Sequence, residues 1–500
     1  MSSKEKKMAA AAEEAKKNKK FYTKCIIFIV CLAIVVAAAA LINSDLSTTK
    51  TTAITIGDTE YTPAEFSYFY RSAVSSAYGE LYSYYGDMAS YMLNTASSLN
   101  EQTAMYGDGE QTWADYFYNE AIVALTNLTV LYDSAIEEGY TLSDEDKEAI
   151  EADIAYYVDV ADSNGFENLD QFLATNFGKG FDEELLREIA EKQYLASAYS
   201  NDVSESFQYS ADEKEAYYQE NADTYDFVTY HSYFVGTSNA AFEEMTDEEK
   251  VAAAHEAAHK IADDSASGAQ FVKNVQNFVS EDSKSAYETE DATLTVSQGA
   301  NLSATYSEWL LSDERAEGDT TVIDSDGGSY ALMFVSRNDN HYALVDARHI
   351  LIKAEADENG VYSDEALETA KAEAERIHEL WKEDPTPENF AKLAEEYSED
   401  TGSNTNGGLY QEIYQNYMVD EFNDFLFNEG SVPGDSAVVY GNNGSYAGYH
   451  VVYLESVGDI FSDRLADSAM RADDYNAQIG AIAENYEVAI GSGMKYVNMD

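Results

Sequence analysis

The sequence predicts a mixed chain of the α+β class: a membrane-spanning helix near the N-terminus, a helical module, and two related domains that combine strands and helices. Three observations lead there. An uncharged apolar run of 18 residues, Cys25–Ile42, stands near the N-terminus. A long stretch to about Thr224 keeps helical periodicity, with no proline after Pro63. Two later segments of about 110 residues each repeat one order of motifs.

Five hundred residues exceed what one hydrophobic core organises, so several domains are expected. With 45% hydrophobic and 25% charged residues the composition is globular. The net charge of −63 excludes nucleic acid as a partner, because phosphates need Lys and Arg. It also argues against a body lying flat on an anionic membrane, and it favours solubility. The charge is unevenly placed. Residues 1–24 hold eight Lys and three Glu, and the remainder holds 22 basic and 90 acidic residues.

Cys25–Ile42 is near the length that spans a hydrocarbon core. Lys16, Lys17, Lys19, Lys20 and Lys24 precede it. By the positive-inside rule, residues 1–24 form a cytoplasmic tail, 25–42 an anchor in the cytoplasmic membrane, and the body lies outside. The competing reading is a cleaved signal peptide, with small residues at Ala37–Ala40. The only cysteines, Cys25 and Cys31, fall in this run. Val30 before Cys31 and the apolar residues after it do not make a lipidation signal. No disulfide is available to the body, which must be held by packing.

After the polar linker Ser44–Thr52, Ile54 and Ile56 alternate with polar residues as in a short strand. Thr62-Pro63-Ala64-Glu65 reads as a capping box with proline at the first helical position. Phe66, Phe69, Tyr70, Ala73, Val74 and Ala77 follow at helical spacing. Residues 53–226 are therefore a helical module, closing with a second capped helix from Ser210. The acidic helical stretch 462–500 is expected to complete it. Tyrosine, with 40 copies, either fills helix interfaces or makes an adaptable surface for unfolded chains.

The two repeats run over 227–337 and 344–458. Each opens on a strand (228–235, 345–352) and continues with an Ala- and Glu-rich helix (246–264, 363–382). Each then reaches Ser-Glu-Asp (280–282, 398–400) and closes on an apolar strand (329–335, 448–454). In the second repeat the motifs are ARHILIK (347–353), FAKLAEEYSED (390–400), GGL (407–409), MVDEF (418–422), FNEGSVPG (427–434) and GYHVVYL (448–454). In this order they resemble the parvulin family of peptidyl-prolyl cis-trans isomerases.

That resemblance implies a four-stranded antiparallel sheet with helices around it. It implies that His349 and His450 are the paired histidines beneath the substrate, and that Asp400 stands beside the isomerising bond. Leu409, Met418 and Phe422 would form the pocket for the proline ring, and Ser445 would bring a hydroxyl near it. No metal and no cofactor is implied. Two features depart from the family: Tyr410 replaces a common glycine, and 409–418 is one residue longer. Against phosphorylated targets, AEADENG (354–360) would repel phosphate.

The first repeat resembles a degenerate copy. Ser232 and Ala331 stand where His349 and His450 do, Asp282 is kept, and Leu302 and Tyr306 are left to line an apolar groove. The arrangement resembles PrsA- and SurA-type foldases, so the helical module is expected to be chaperone-like. The expected partners are unfolded or nascent exported polypeptides containing X-Pro bonds. One alternative is a holdase whose repeats only bind. Another is a membrane-anchored zinc metallopeptidase, on the H-E-x-x-H segment His255–His259 with Glu281 as a distant third ligand.

Overall fold

The computed structural model describes residues 46–106, 110–358, 360–497 and 499. The expected tail 1–24 and anchor 25–42 lie outside them. Among the described residues no helix is long and apolar enough to cross a membrane. The strands, numbered in chain order, are β1 Ile54–Ile56, β2 Thr59–Tyr61, β3 Phe227–Gly236, β4 Leu294–Gln298, β5 Thr320–Ser325, β6 Gly328–Asn338, β7 Ala343–Lys353, β8 Leu409–Ile413, β9 Ser436–Asn442, β10 Ala447–Ile460 and β11 Val488–Ile490. The chain divides into two compact units, one of residues up to Gln208 with Arg471–Asp500, the other Tyr209–Met470.

The first unit is mainly helical. Thr62 caps Pro63–Tyr85: its hydroxyl accepts from the Glu65 N–H, and the Glu65 carboxylate accepts from the Thr62 N–H at 2.7 Å. Phe66, Tyr70 and Leu81 of that helix pack on Trp113, Phe117 and Leu125 of Trp113–Glu137. Many tyrosines serve such interfaces. Tyr61 is buried with its hydroxyl 2.7 Å from Thr129 Oγ1, so the ring is packed and its polar atom satisfied. The chain end returns to this unit, where β11 pairs with β1, Ile490 opposite Ile54.

The second unit holds two four-stranded antiparallel sheets, ordered β4-β3-β6-β5 and β8-β7-β10-β9. Counted within each repeat, both orders are second, first, fourth, third, so the duplication seen in sequence is also one of topology. In the second sheet, Ile350, Ile352, Val451 and Tyr453 point to one face. Trp381 of the helix Asp364–Glu383 and Phe390 of Pro387–Tyr397 cover them. The alternate residues Val345, Ala347, Val452 and Leu454 point to the other face, under Phe422 and Leu426 of the helix Asp420–Phe427. The first sheet is built alike: Val235, Ala331 and Met333 face the helices Asp247–Ala262 and Gly268–Val275.

Candidate active site on the second sheet

His349 pairs with Val452, and His450 pairs with Leu351. The two histidines are thus diagonal neighbours on one face of the sheet. That face is the one capped by the helix Asp420–Phe427. Both rings are buried, at 5% and 3% exposure. They stack with centroids 5.2 Å apart, and their Nδ1 atoms are 3.0 Å apart. Phe422 touches both, its centroid 5.6 Å from His349 and 5.4 Å from His450.

Asp400 is brought in by the Ser-Glu-Asp segment, which is bonded to β7. The Leu351 N–H donates to Ser398 Oγ, and the Glu399 N–H donates to Leu351 O. Asp400 Oδ2 then lies 2.8 Å from His349 Nε2. Ser403 and Tyr410 donate their hydroxyls to the same oxygen, and the Gly402 N–H donates to Oδ1. Two glycines permit the approach of the next turn. Gly407 and Gly408 both have left-handed backbones, at φ 73° and 72°. A Cβ on Gly408 would fall 2.3 Å from His349 O.

The polar atoms form one chain. Tyr446 Oη lies 2.9 Å from His450 Nε2. The contacts run from Tyr446 Oη through His450 Nε2 and Nδ1 to His349 Nδ1 and Nε2, and end on the single carboxylate of Asp400. His349, then Ser403 and the Gly402 N–H, hold the Asp400 carboxyl far below the usual carboxylate range against the opposing effect of burial. Burial, helped by His349, pulls His450 down to about 3, so at neutral pH its ring is uncharged. Burial and the Asp400 charge push the Tyr410 hydroxyl up to about 12, so it stays a donor.

The fold therefore brings His349, Asp400, His450 and Phe422 together, with the half-buried Met418 packed on the same cluster. Two expected residues stand elsewhere. Leu409 pairs with Arg348 and belongs to the opposite face; its neighbour Tyr410 pairs with Ala347 and faces the histidines. Ser445 is exposed in the β9–β10 turn, its N–H donating to Asn443 Oδ1, and Tyr446 supplies the hydroxyl instead. Both displacements are single-residue steps in alternating or turning chain. Phe422, 1% exposed, is a core residue packed against both imidazoles. The extra residue of 409–418 is taken up by a bulge: Tyr410 to Ile413 lies opposite Ala347 to Val345, with Glu412 at φ 52°. Ser403 was not singled out by the sequence, although an Asp-x-Gly-Ser turn signals side-chain bonding to the backbone.

Residues 330–456 match the family model of the PPIC-type PPIASE domain. The match spans β7, β8 and β9, runs into β10 as far as Ser456, and reaches back to Tyr330 in β6, ahead of the expected boundary at 344. No curated protein sequence matches the chain significantly. Among solved structures, PrsA from Bacillus subtilis is similar, at 13% identity over 77% of this chain and 91% of that one, with a TM-score of 0.26. The foldase protein PrsA of Streptococcus pneumoniae gives 12%, 76%, 92% and 0.26. A structure described as SurA-like chaperones of Campylobacter jejuni gives 15%, 77%, 96% and 0.18.

The first sheet lacks the polar chain of the PPIC-type domain. Ser232 pairs with Leu332 as His349 pairs with Val452, and Phe234 pairs with Tyr330 as Leu351 pairs with His450. Tyr330, not Ala331, thus holds the register of His450; Ala331 faces the helices. Tyr230, Tyr306 and Tyr330 make an aromatic cluster on this face with Leu302 packed beside them, and Asp282 is exposed. The peptidase reading of His255–His259 also lacks its parts. Glu256 is paired with Lys260 at 2.7 Å. Among the described residues no third His, Cys, Asp or Glu completes a ligand group with the two histidines, and Glu281 is paired with Lys284.

Proposed function

We propose that the chain is an extracytoplasmic foldase whose second sheet catalyses cis-trans isomerisation of X-Pro bonds in exported polypeptides. The observation that carries the reading is the chain Tyr446–His450–His349–Asp400, its two histidines buried and its ends half-exposed, on the same face as the half-buried apolar Met418. Rotation about an X-Pro bond is slow because amide resonance opposes it by about 18–20 kcal/mol. No bond is broken, so neither nucleophile nor metal is called for. A thousandfold acceleration needs only about 4 kcal/mol of preferential binding to the twisted amide. An apolar wall holds the ring, and fixed hydroxyl donors and one carboxylate supply a preorganised field for the altered charge distribution.

The test is a prolyl-peptide assay on the full-length protein. Asp400→Ala is expected to lower kcat/KM about ten- to hundredfold, equivalent to roughly 1.4–2.7 kcal/mol. Asp282→Ala in the first repeat is expected to leave it unchanged. Wild-type rates in a folded Asp400→Ala variant would remove the assignment.

A specific observation favours a holding activity beside catalysis. Tyr82, Tyr84, Tyr85, Met88, Tyr91 and Met105 are all at least half exposed within one stretch of the helical unit. Such a concentration of large apolar side chains suits transient binding of unfolded segments. Placement outside the membrane rests on the lysine flank and apolar run at 16–42. Protease added to intact protoplasts should digest the body; full protection would contradict that topology.

A further inference from the structure

The helix Asp247–Ala262 presents His255 and His259 on its outer side, with side chains 43% and 44% exposed. Each ring is oriented by a carboxylate. His255 Nδ1 lies 2.7 Å from Asp324 Oδ1 on β5, and His259 Nδ1 lies 2.9 Å from Asp263 Oδ2. Ser329 donates its hydroxyl to the same Asp324 oxygen at 2.7 Å, fixing it. A carboxylate oxygen facing Nδ1 accepts a hydrogen bond from it and so favours the proton on that nitrogen.

Both Nε2 atoms are then left with lone pairs, and they face each other at 3.1 Å. Two lone pairs so placed repel, unless a cation lies between them. The ring centroids are 4.6 Å apart and the planes are inclined at 72°, so the nitrogens converge at an angle rather than meeting end to end. Two imidazole nitrogens each about 2.0–2.1 Å from one metal ion subtend roughly 100° at that ion when they are 3.1 Å apart, between the tetrahedral and octahedral angles.

We propose that His255 and His259 chelate a divalent transition-metal ion, of the imidazole-preferring class that includes zinc, nickel and copper. Asp324 and Asp263 are positioning residues that set the tautomers. The ion has two protein ligands, leaving its other positions to water or to an incoming group. This is a surface chelate and not a peptidase centre, since Glu256 is engaged by Lys260.

The experiment uses tag-free full-length protein, dialysed at pH 7.5 against zinc with excess calcium and magnesium to occupy the acidic surface. One zinc per chain is expected to be retained, and to be lost in both His255→Ala and His259→Ala. Asp324→Asn is expected to weaken retention about 10–100-fold. Copper added to the wild-type chain should give an electron paramagnetic resonance spectrum with coupling to two nitrogens, a readout independent of how the variants fold. No retained zinc in the wild type would overturn the proposal: a shared proton would then suffice between the two rings. Equal retention in wild type and both alanine variants would also overturn it, as would a two-nitrogen copper signal surviving in them, which would point to the His349–His450 pair.

Discussion

At the scale of single residues, the network on the second sheet has a defined pH signature. His450 is lowered to about 3 by burial, against about 6.5 for a free imidazole. Between those values the unfolded chain binds a proton that the folded chain does not, so stability falls as pH falls. The contribution of His450 is fully present above about pH 6.5 and is lost progressively toward pH 3, on the order of a few kcal/mol. Asp400 is also depressed, so its contribution holds above the unfolded carboxylate range near pH 4 and is lost below it. Other charges obscure this in the whole protein, because acidification also relieves the self-repulsion of a −63 chain. The difference between wild type and His450→Gln isolates it. Urea unfolding at pH 7 and pH 4.5 should show the wild type losing more stability than the variant over that interval. Equal losses would mean that His450 is not held neutral. The motif placed His349, Asp400 and His450, which the fold brings within hydrogen-bond reach. It did not place Ser403 and Tyr446, because a hydroxyl in a turn has no periodic signal.

At the scale of elements, the sequence was most legible where chemistry is local. The Thr62–Glu65 and Ser210–Glu213 boxes are both formed, because a cap needs only four consecutive residues. Strand faces were less legible. Leu409 against Tyr410, and Ala331 against Tyr330, are one-residue differences, and one residue turns a side chain to the other face. What fixes those faces is cross-strand pairing, together with the Glu412 bulge, and neither shows in one strand's sequence. The β9–β10 hairpin illustrates the dependence. Gly441 sits over His450, and a Cβ there would fall 2.5 Å from His450 Nε2. His450 is buried and cannot withdraw without breaking its bond to His349 or Tyr446. Gly441→Ala is therefore expected to cost about 1–3 kcal/mol of stability, as overpacking does, and to lower the proposed isomerase activity in the folded fraction. Denaturant melts with a parallel peptide assay check both, and unchanged values of each would show that the ring has room to move.

At the scale of the whole molecule, one topology is used twice with different surfaces. The second sheet carries a polar chain, centred on two buried histidines, on the face covered by the helix Asp420–Phe427, and the first fills the same position with Tyr230, Tyr306 and Tyr330. The duplication and the mixed helix and sheet class were readable because motif order survives when individual residues change. The tyrosine surplus was readable only as a pair of alternatives, since the same ring serves an interface or a surface. The structure separates the two uses by position: Tyr61, Tyr70 and Tyr199 are buried, while Tyr84 is 76% and Tyr91 89% exposed. If the exposed group holds unfolded chains, removing it should impair holding and spare catalysis. Burying one such side chain against a client is worth up to roughly 1.5–3 kcal/mol. The quadruple variant Tyr84→Ser, Tyr85→Ser, Met88→Ser, Tyr91→Ser is therefore expected to bind an unfolded client at least about tenfold more weakly, a change of only about 1.4 kcal/mol. Exposed positions away from special contacts usually alter stability by no more than about 0.5 kcal/mol each, so the variant should remain folded, which circular dichroism would verify. Aggregation of an unfolded client at equimolar ratio should then be suppressed less than by the wild type, while prolyl-peptide turnover is retained. Full suppression by the folded variant would mean that these side chains do not hold clients. A parallel loss of turnover on a short peptide would mean that the two activities are not separable.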